Sequence, residues 1–171
     1  MKISHQNGFS LTELLIVIII MGTLAAIAGI SANSMLQRYA IEGQVREMYA
    51  DLMNVRARAM QRNRTHFVSL AANAFTVYED TNTPPDGNGS LETASDRVVQ
   101  QKMLKKSVEP TSSITFDSKG MAAANQTICV FSGVSPAFDC MIVSATRINT
   151  GKITVQKVDG GACDASNCVA K

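Results

Sequence analysis

The residues able to do chemistry are few, and they sit near the two ends of the chain. Near the N-terminus one carboxylate, Glu13, stands directly before an apolar run, Leu14 to Gln37, that contains no charged side chain. A carboxylate beside hydrocarbon is costly unless a cation pairs with it, so Glu13 is expected to meet an amine or a guanidinium. Near the C-terminus stand Cys129, Cys140, Cys163 and Cys168. Their spacings lack the C-x2-C pairs of structural zinc sites, which favours disulfides over a metal. Four cysteines allow three pairings. Cys129 and Cys140 flank a loop with Gly133 and Pro136, and Cys163 and Cys168 flank a tight polar loop. Local pairing, Cys129–Cys140 and Cys163–Cys168, therefore fits a hairpin reading best.

Catalysis finds little support. The chain has two histidines, His5 and His66, and no nucleophile or acid is marked near His66 in sequence. There is no Gly-rich phosphate loop and no nucleophile elbow. No catalytic residue and no cofactor are expected. Asp86, Asn88 and Ser90 are spaced like the start of a calcium loop, but Leu91 stands where such a loop needs Gly and no acid closes it. A solvated turn is the expectation there, with no metal.

Long helical elements must position Glu13. The 24 residues from Leu14 to Gln37, at about 1.5 Å each, make a helix of roughly 36 Å, enough for a bilayer core of about 30 Å. Helical periodicity then continues. Ile41, Val45, Met48, Leu52, Val55 and Ala59 recur in steps of four and three, one stripe of an amphipathic helix. No proline interrupts residues 9–63. Gly22, Gly29 and Gly43 are the expected weak points, because Gly lowers helix stability by about 1 kcal/mol relative to Ala.

The run Gly8-Phe9-Ser10-Leu11-Thr12-Glu13-Leu14 resembles the processing site of type IV prepilins and type II secretion pseudopilins. The resemblance implies that a prepilin peptidase cuts between Gly8 and Phe9 and that Phe9 is then N-methylated. It also implies that Glu13 meets the terminal amine of a neighbouring subunit during assembly. An ordinary secretory signal with a cut after Ala26-Ile27-Ala28 competes with this reading. Its h-region should be about 7–15 residues, and the run here is longer and follows an acid.

Beyond the helix, Phe67–Leu70 and Phe75–Tyr78 alternate as a hairpin around Ala71-Ala72-Asn73. Further strands are expected over Arg97–Leu104, from Ile114 to a turn at Gly120, and over Thr127–Phe131, Met141–Ser144 and Ile153–Val158. The Arg-rich, Ala-spaced helix end Val55–Asn63 and the Phe116–Gly120 turn resemble the GspH/FimT minor pseudopilins. That resemblance implies an α+β, pilin-like lollipop: a long membrane-spanning N-terminal helix whose outer half packs on an antiparallel sheet. Some FimT-like members capture DNA through a C-terminal G-R-x-R segment. The matching position here is Gly151-Lys152-Ile153-Thr154, with Lys and Thr in place of the arginines. Arg147, Lys152 and Lys157 are the candidate DNA contacts, and three such contacts would bind weakly and with clear salt dependence.

A net charge of +2 is too small to argue for a polyanion partner by itself. The cysteines favour an oxidising compartment. Loop charge points the other way, since Lys2 stands before the span and Arg38, Arg46, Arg56 and Arg58 after it. That rule is weak for long translocated domains. The expected organisation is a leader over residues 1–8, a transmembrane and assembly helix over 9–37, and a periplasmic or extracellular domain over 38–171. The expected partners are other pilins or pseudopilins, the prepilin peptidase and the inner membrane. The expected function is a non-catalytic minor pilin or pseudopilin of a type IV pilus or type II secretion machine, with a DNA-capturing competence pilin as the alternative.

Overall fold

The computed structural model describes residues 9–82 and 87–171. The chain divides into two units, one ending at Gln37 and one spanning Arg38–Lys171. A single helix, α1 (Leu11–Arg62), contributes to both. In the first unit its aliphatic side chains from Leu14 to Ile20, with Leu24 and Ile27, are exposed. This stretch is long and apolar enough to cross a membrane.

In the second unit the stripe read from the sequence is the buried face. Ile41, Val45, Met48, Leu52, Val55 and Ala59 are each at most 1% exposed. Burying an aliphatic side chain of this size contributes about 1.5–3 kcal/mol, so this row is the largest single stabilising element that α1 supplies.

The stripe packs on two antiparallel sheets. The first holds β1 (His66–Ala71), β2 (Ala74–Glu79), β3 (Arg97–Met103) and β4 (Ser113–Phe116), in the order β3-β2-β1-β4. The second holds β5 (Gln126–Cys129), β6 (Cys140–Val143), β7 (Ile148–Ile153) and β8 (Cys168–Ala170), in the order β5-β6-β7-β8. Val68, Leu70, Phe75, Val77 and Ile114 from the first sheet join Ile128, Met141, Val143 and Ile148 from the second in one core with the helix. Polar contacts tie the helix to both sheets and the segments beside them. The Gln44 side chain bonds the main chain of Lys106 twice, donating from Nε2 and accepting at Oε1, each at 2.8 Å. Arg56 Nη1 donates to the Thr146 carbonyl at 2.8 Å, and the Arg46 guanidinium lies 5.2 Å from the Phe138 ring centre.

The α+β expectation holds, with two corrections. The strand expected over Ile153–Val158 is absent, because β7 ends at Ile153 and a short 3-10 helix follows at Lys157–Asp159. Val155 and Val158 were misleading as strand residues, since they are 44% and 90% exposed. The true strand, Ile148 to Ile153, carries only two aliphatic residues, and it is held by pairing on both edges with β6 and β8.

The turn after β4 shows how tightly the helix is clasped. Asp117 Oδ1 accepts from the amides of Lys119 and Met121, and Gly120 adopts φ +74°. A Cβ at Gly120 would lie 2.8 Å from Cγ of Met60 on α1. Gly120→Ala should therefore cost about 1–3 kcal/mol from strained φ and collision together. Its chemical denaturation midpoint should fall accordingly, and an unchanged midpoint would show that the turn is not pressed on the helix.

Candidate functional site

The described chain begins at Phe9, so Gly8 and the leader lie outside the described residues. Ser10 caps α1. Its carbonyl accepts from the Glu13 and Leu14 amides at 3.1 and 3.2 Å, and its Oγ accepts from the Glu13 amide at 3.2 Å. Ser10-Leu11-Thr12-Glu13 thus follows the capping-box pattern, a reason for these residue types that the sequence reading had not used. Phe9 is 83% exposed. Among the described residues the Glu13 carboxylate makes no ion pair and no side-chain hydrogen bond. The helix therefore holds an unpartnered acid in its first turn, directly before an exposed apolar surface.

The cysteines correct the local pairing expected above. The bonds are Cys129–Cys163 and Cys140–Cys168, not Cys129–Cys140 and Cys163–Cys168. Cys129 and Cys140 do oppose each other across β5 and β6, so their proximity was legible. What was not legible is the return of the C-terminal segment as β8 on the far edge of β7. The Cys140–Cys168 bond must then cross β7, and it crosses at Gly151, the residue paired with Cys140. A Cβ there would lie 2.8 Å from Cys168 Sγ and 2.7 Å from the Val169 carbonyl oxygen. Closing loops of 34 and 28 residues, each bond contributes about 3–4 kcal/mol on the chain-entropy account.

The three candidate DNA contacts are not brought together. Arg147 precedes β7 while Lys152 lies near its far end, about 16 Å away at strand rise. Lys152 Nζ bonds Ser135 Oγ at 2.8 Å, and Lys157 is paired with Glu109. Gly151, first residue of the segment matched to G-R-x-R, has the structural reason just given. Of the calcium-loop residues, Asp86 lies outside the described ones, and Asn88 donates its backbone N–H to Asp80 Oδ1 and its side-chain amide to Glu92. Among the described residues no group of three or more acidic, His or Cys side chains could hold a metal.

His66 is fully buried, with Nδ1 3.1 Å from the Arg64 carbonyl and Nε2 without a partner. Burial holds its pKa below the ordinary imidazole value. The Arg64 carbonyl and Glu79 oppose that shift, while Arg62 and Arg58 reinforce it. His66 opens β1 as one of the largest fully buried side chains of the domain.

An apolar helix that continues as an amphipathic half, buried under antiparallel sheets, defines the α+β architecture of a pilin-type subunit. Family comparison agrees: the prokaryotic N-terminal methylation motif matches residues 3–29, and type II transport protein GspH matches residues 44–147, well over half the chain. The chain belongs to the GspH family. Searches of curated proteins and of solved structures returned no match.

Two measurements check this chemistry. Cleavage before Asp139, Asp159 and Asp164 separates all four cysteines. Without reductant, the fragment containing Cys129 should stay joined to that containing Cys163, and Cys140 to Cys168; Cys129 joined instead to Cys140, and Cys163 to Cys168, would restore the local pairing. For His66, the folded state binds fewer protons than the unfolded state as pH falls through about 6.5, so stability is present above that value and lost below it. The slope of stability between about pH 7 and 5 should flatten in His66→Phe, and an equal slope in both proteins would clear His66 of the effect.

Proposed function

We propose that the chain is a non-catalytic minor pilin or pseudopilin that assembles into, or primes, a type IV pilus or a type II secretion pseudopilus. The observation that carries this is the unpartnered Glu13 one turn inside a capped, exposed, apolar helix, within the match to the methylation motif. In this reading residues 1–8 are the leader, 9–37 the membrane and assembly helix, and 38–171 the domain outside the cytoplasm. The prepilin peptidase cuts between Gly8 and Phe9, and Phe9 is methylated at its new amine. The subunit waits in the inner membrane with its C-terminal domain in the periplasm, where an oxidising environment suits two disulfides.

Assembly moves the exposed aliphatic face from lipid into a bundle of other pilin helices. Lipid and helix bundle are equally apolar, so hydrophobicity contributes little to that step. Packing and charge pairing then decide order. A carboxylate and an ammonium that are each unpaired in hydrocarbon both gain when they meet, and the pair forms only at the correct axial register.

Mass spectrometry of the protein from membranes should find N-methylated Phe9 as the first residue. A start at Gly29 would make the protein a secreted one and end this reading. Glu13→Ala and Glu13→Gln should both lower recovery in complexes with partner pilins at least about tenfold, because each leaves the partner's amine unpaired. Glu13→Asp should retain part of it. Equal recovery of all variants would remove the electrostatic register.

A further inference from the structure

The four cysteines of the second unit meet in one cluster with Ile153, but their bonds interleave along the chain. Cys129 and Cys140 come first in sequence, and each takes its partner from the C-terminal segment that follows. The sheet does not keep the first two apart. Cys129 on β5 stands directly opposite Cys140 on β6. One residue beyond them the Val130 amide donates to the Asp139 carbonyl at 2.7 Å, while the Cys129 amide donates to the Glu109 carbonyl on the other side. Cys129 and Cys140 are therefore a non-hydrogen-bonded pair of the ladder. In such a pair the Cα atoms are about 4.5 Å apart and the side chains share one face, within the span of about 4.4–6.8 Å that a disulfide bridges. Chain statistics favour the same bond. Cys140 lies about a third as far along the chain from Cys129 as Cys163 does, so the local loop closes about fivefold more readily before structure forms. Cys163 and Cys168 are closer still in sequence. The folded strand order, by contrast, sets Cys163 beside β5 and Cys168 on β8, at the two edges of the sheet.

We propose that the chain first pairs its cysteines locally and is a substrate of a protein thiol–disulfide isomerase, which converts them to the interleaved pairing. The conversion is redox-neutral and takes three exchanges. The isomerase thiolate attacks Cys168 Sγ of the Cys163–Cys168 bond, which leaves a mixed disulfide on Cys168 and frees the Cys163 thiolate. That thiolate attacks Cys129 Sγ, which forms Cys129–Cys163 and frees the Cys140 thiolate. Cys140 then attacks Cys168 Sγ, which forms Cys140–Cys168 and returns the isomerase thiolate. Two protein disulfides are present at the start and two at the end. An external thiolate is required because the doubly local form has no free thiol of its own. The exchanges precede the docking of β8, since Cys129, Cys140 and Cys168 are each at most 2% exposed in the finished fold. The compartment is that of the function proposed above, but the sulfur chemistry needs neither a bilayer nor partner pilins.

Full-length protein, reduced and unfolded, is returned to detergent micelles with oxidised and reduced glutathione, and free thiols are blocked at intervals. Fragments cut before Asp139, Asp159 and Asp164 then report each bond. At the earliest times Cys129–Cys140 should outnumber Cys129–Cys163 about fivefold. A bacterial protein disulfide isomerase should speed the appearance of the interleaved pairs at least about fivefold. Interleaved pairs that form from the outset, with no Cys129–Cys140 bond, would overturn the proposal, and so would an isomerase without effect. Two double variants keep the result specific. Cys163→Ser with Cys168→Ser should join Cys129 to Cys140, and persistent free thiols would show that the sheet holds them apart. Cys129→Ser with Cys163→Ser leaves one correct pair, which should form at a rate the isomerase does not change. Equal acceleration there would make the enzyme only an oxidant and overturn the exchange. None of these outcomes depends on the N-terminus of the mature protein or on Glu13, so the pilin function stands or falls separately.

Discussion

One helix has to satisfy two environments, and most of the architecture answers to that. From Leu14 to Ile27 the described aliphatic side chains of α1 lack a protein partner; from Ile41 to Ala59 six apolar side chains are almost wholly covered. The two halves solve their burial differently. The first is apolar without a protected face, as suits a helix surrounded by lipid or by other helices. The second concentrates its apolar residues on one stripe, and two separate sheets close over it. Both sheets share their main core with the helix, since Val68, Val77, Ile128 and Met141 belong to the same cluster as Ile41 and Leu52, and the second sheet adds a smaller cluster around its disulfides, Cys129, Cys140, Ile153 and Cys168. The helix is therefore the shared wall of the domain. The contacts of Gln44 and Arg56 with Lys106 and Thr146 hold that wall to the loops beyond it.

This explains which parts of the fold could be read in advance. The stripe was legible because a period of 3.6 leaves a strong imprint when only one face is buried, and all six of its residues are in the core. The first hairpin was legible because Phe67–Leu70 and Phe75–Tyr78 are dense in strand-forming residues around a three-residue turn. The last third was not. β7 reads Ile-Asn-Thr-Gly-Lys-Ile, in which Gly and Asn argue against a strand, and β8 has three residues. Both exist because non-local partners supply their hydrogen bonds, an effect that local propensity does not contain.

The cysteines show the same limit from another side. Sequence proximity favoured bonds within each loop, and Cys129 and Cys140 do face one another. The chain instead uses each of them to fasten the C-terminal segment, and the crossing over β7 is permitted because residue 151 has no side chain. A glycine that resembled part of a binding segment is thus occupied by a steric requirement of the disulfide. Arg147, Lys152 and Lys157 likewise looked adjacent in sequence, but strand geometry and the Glu109 pair separate them. The N-terminal motif was legible as a family motif because it lies in consecutive residues.

The same motif has a local role that bears on its larger one. Ser10 caps the helix through the Glu13 amide, and the Glu13 carboxylate stands in the first turn, where the helix dipole favours a negative charge, so part of its cost is met within the subunit. A negative charge in the first turn of a helix gains about 0.3–1 kcal/mol from the helix dipole. Placing a charge within a membrane costs about 2.5–3.5 kcal/mol even by the mildest scales. The dipole therefore covers the smaller share, and capping alone does not account for an acid at this position. Serine, threonine or aspartate earlier in the turn would cap as well without placing a carboxylate against the apolar run. The uncompensated remainder is what an external cation would relieve, and in the function proposed above that cation is the freed amine of Phe9 on a sister chain. On that proposal, local structure lowers the cost of the acid in a lone subunit, and the unmet part is what makes association depend on charge pairing.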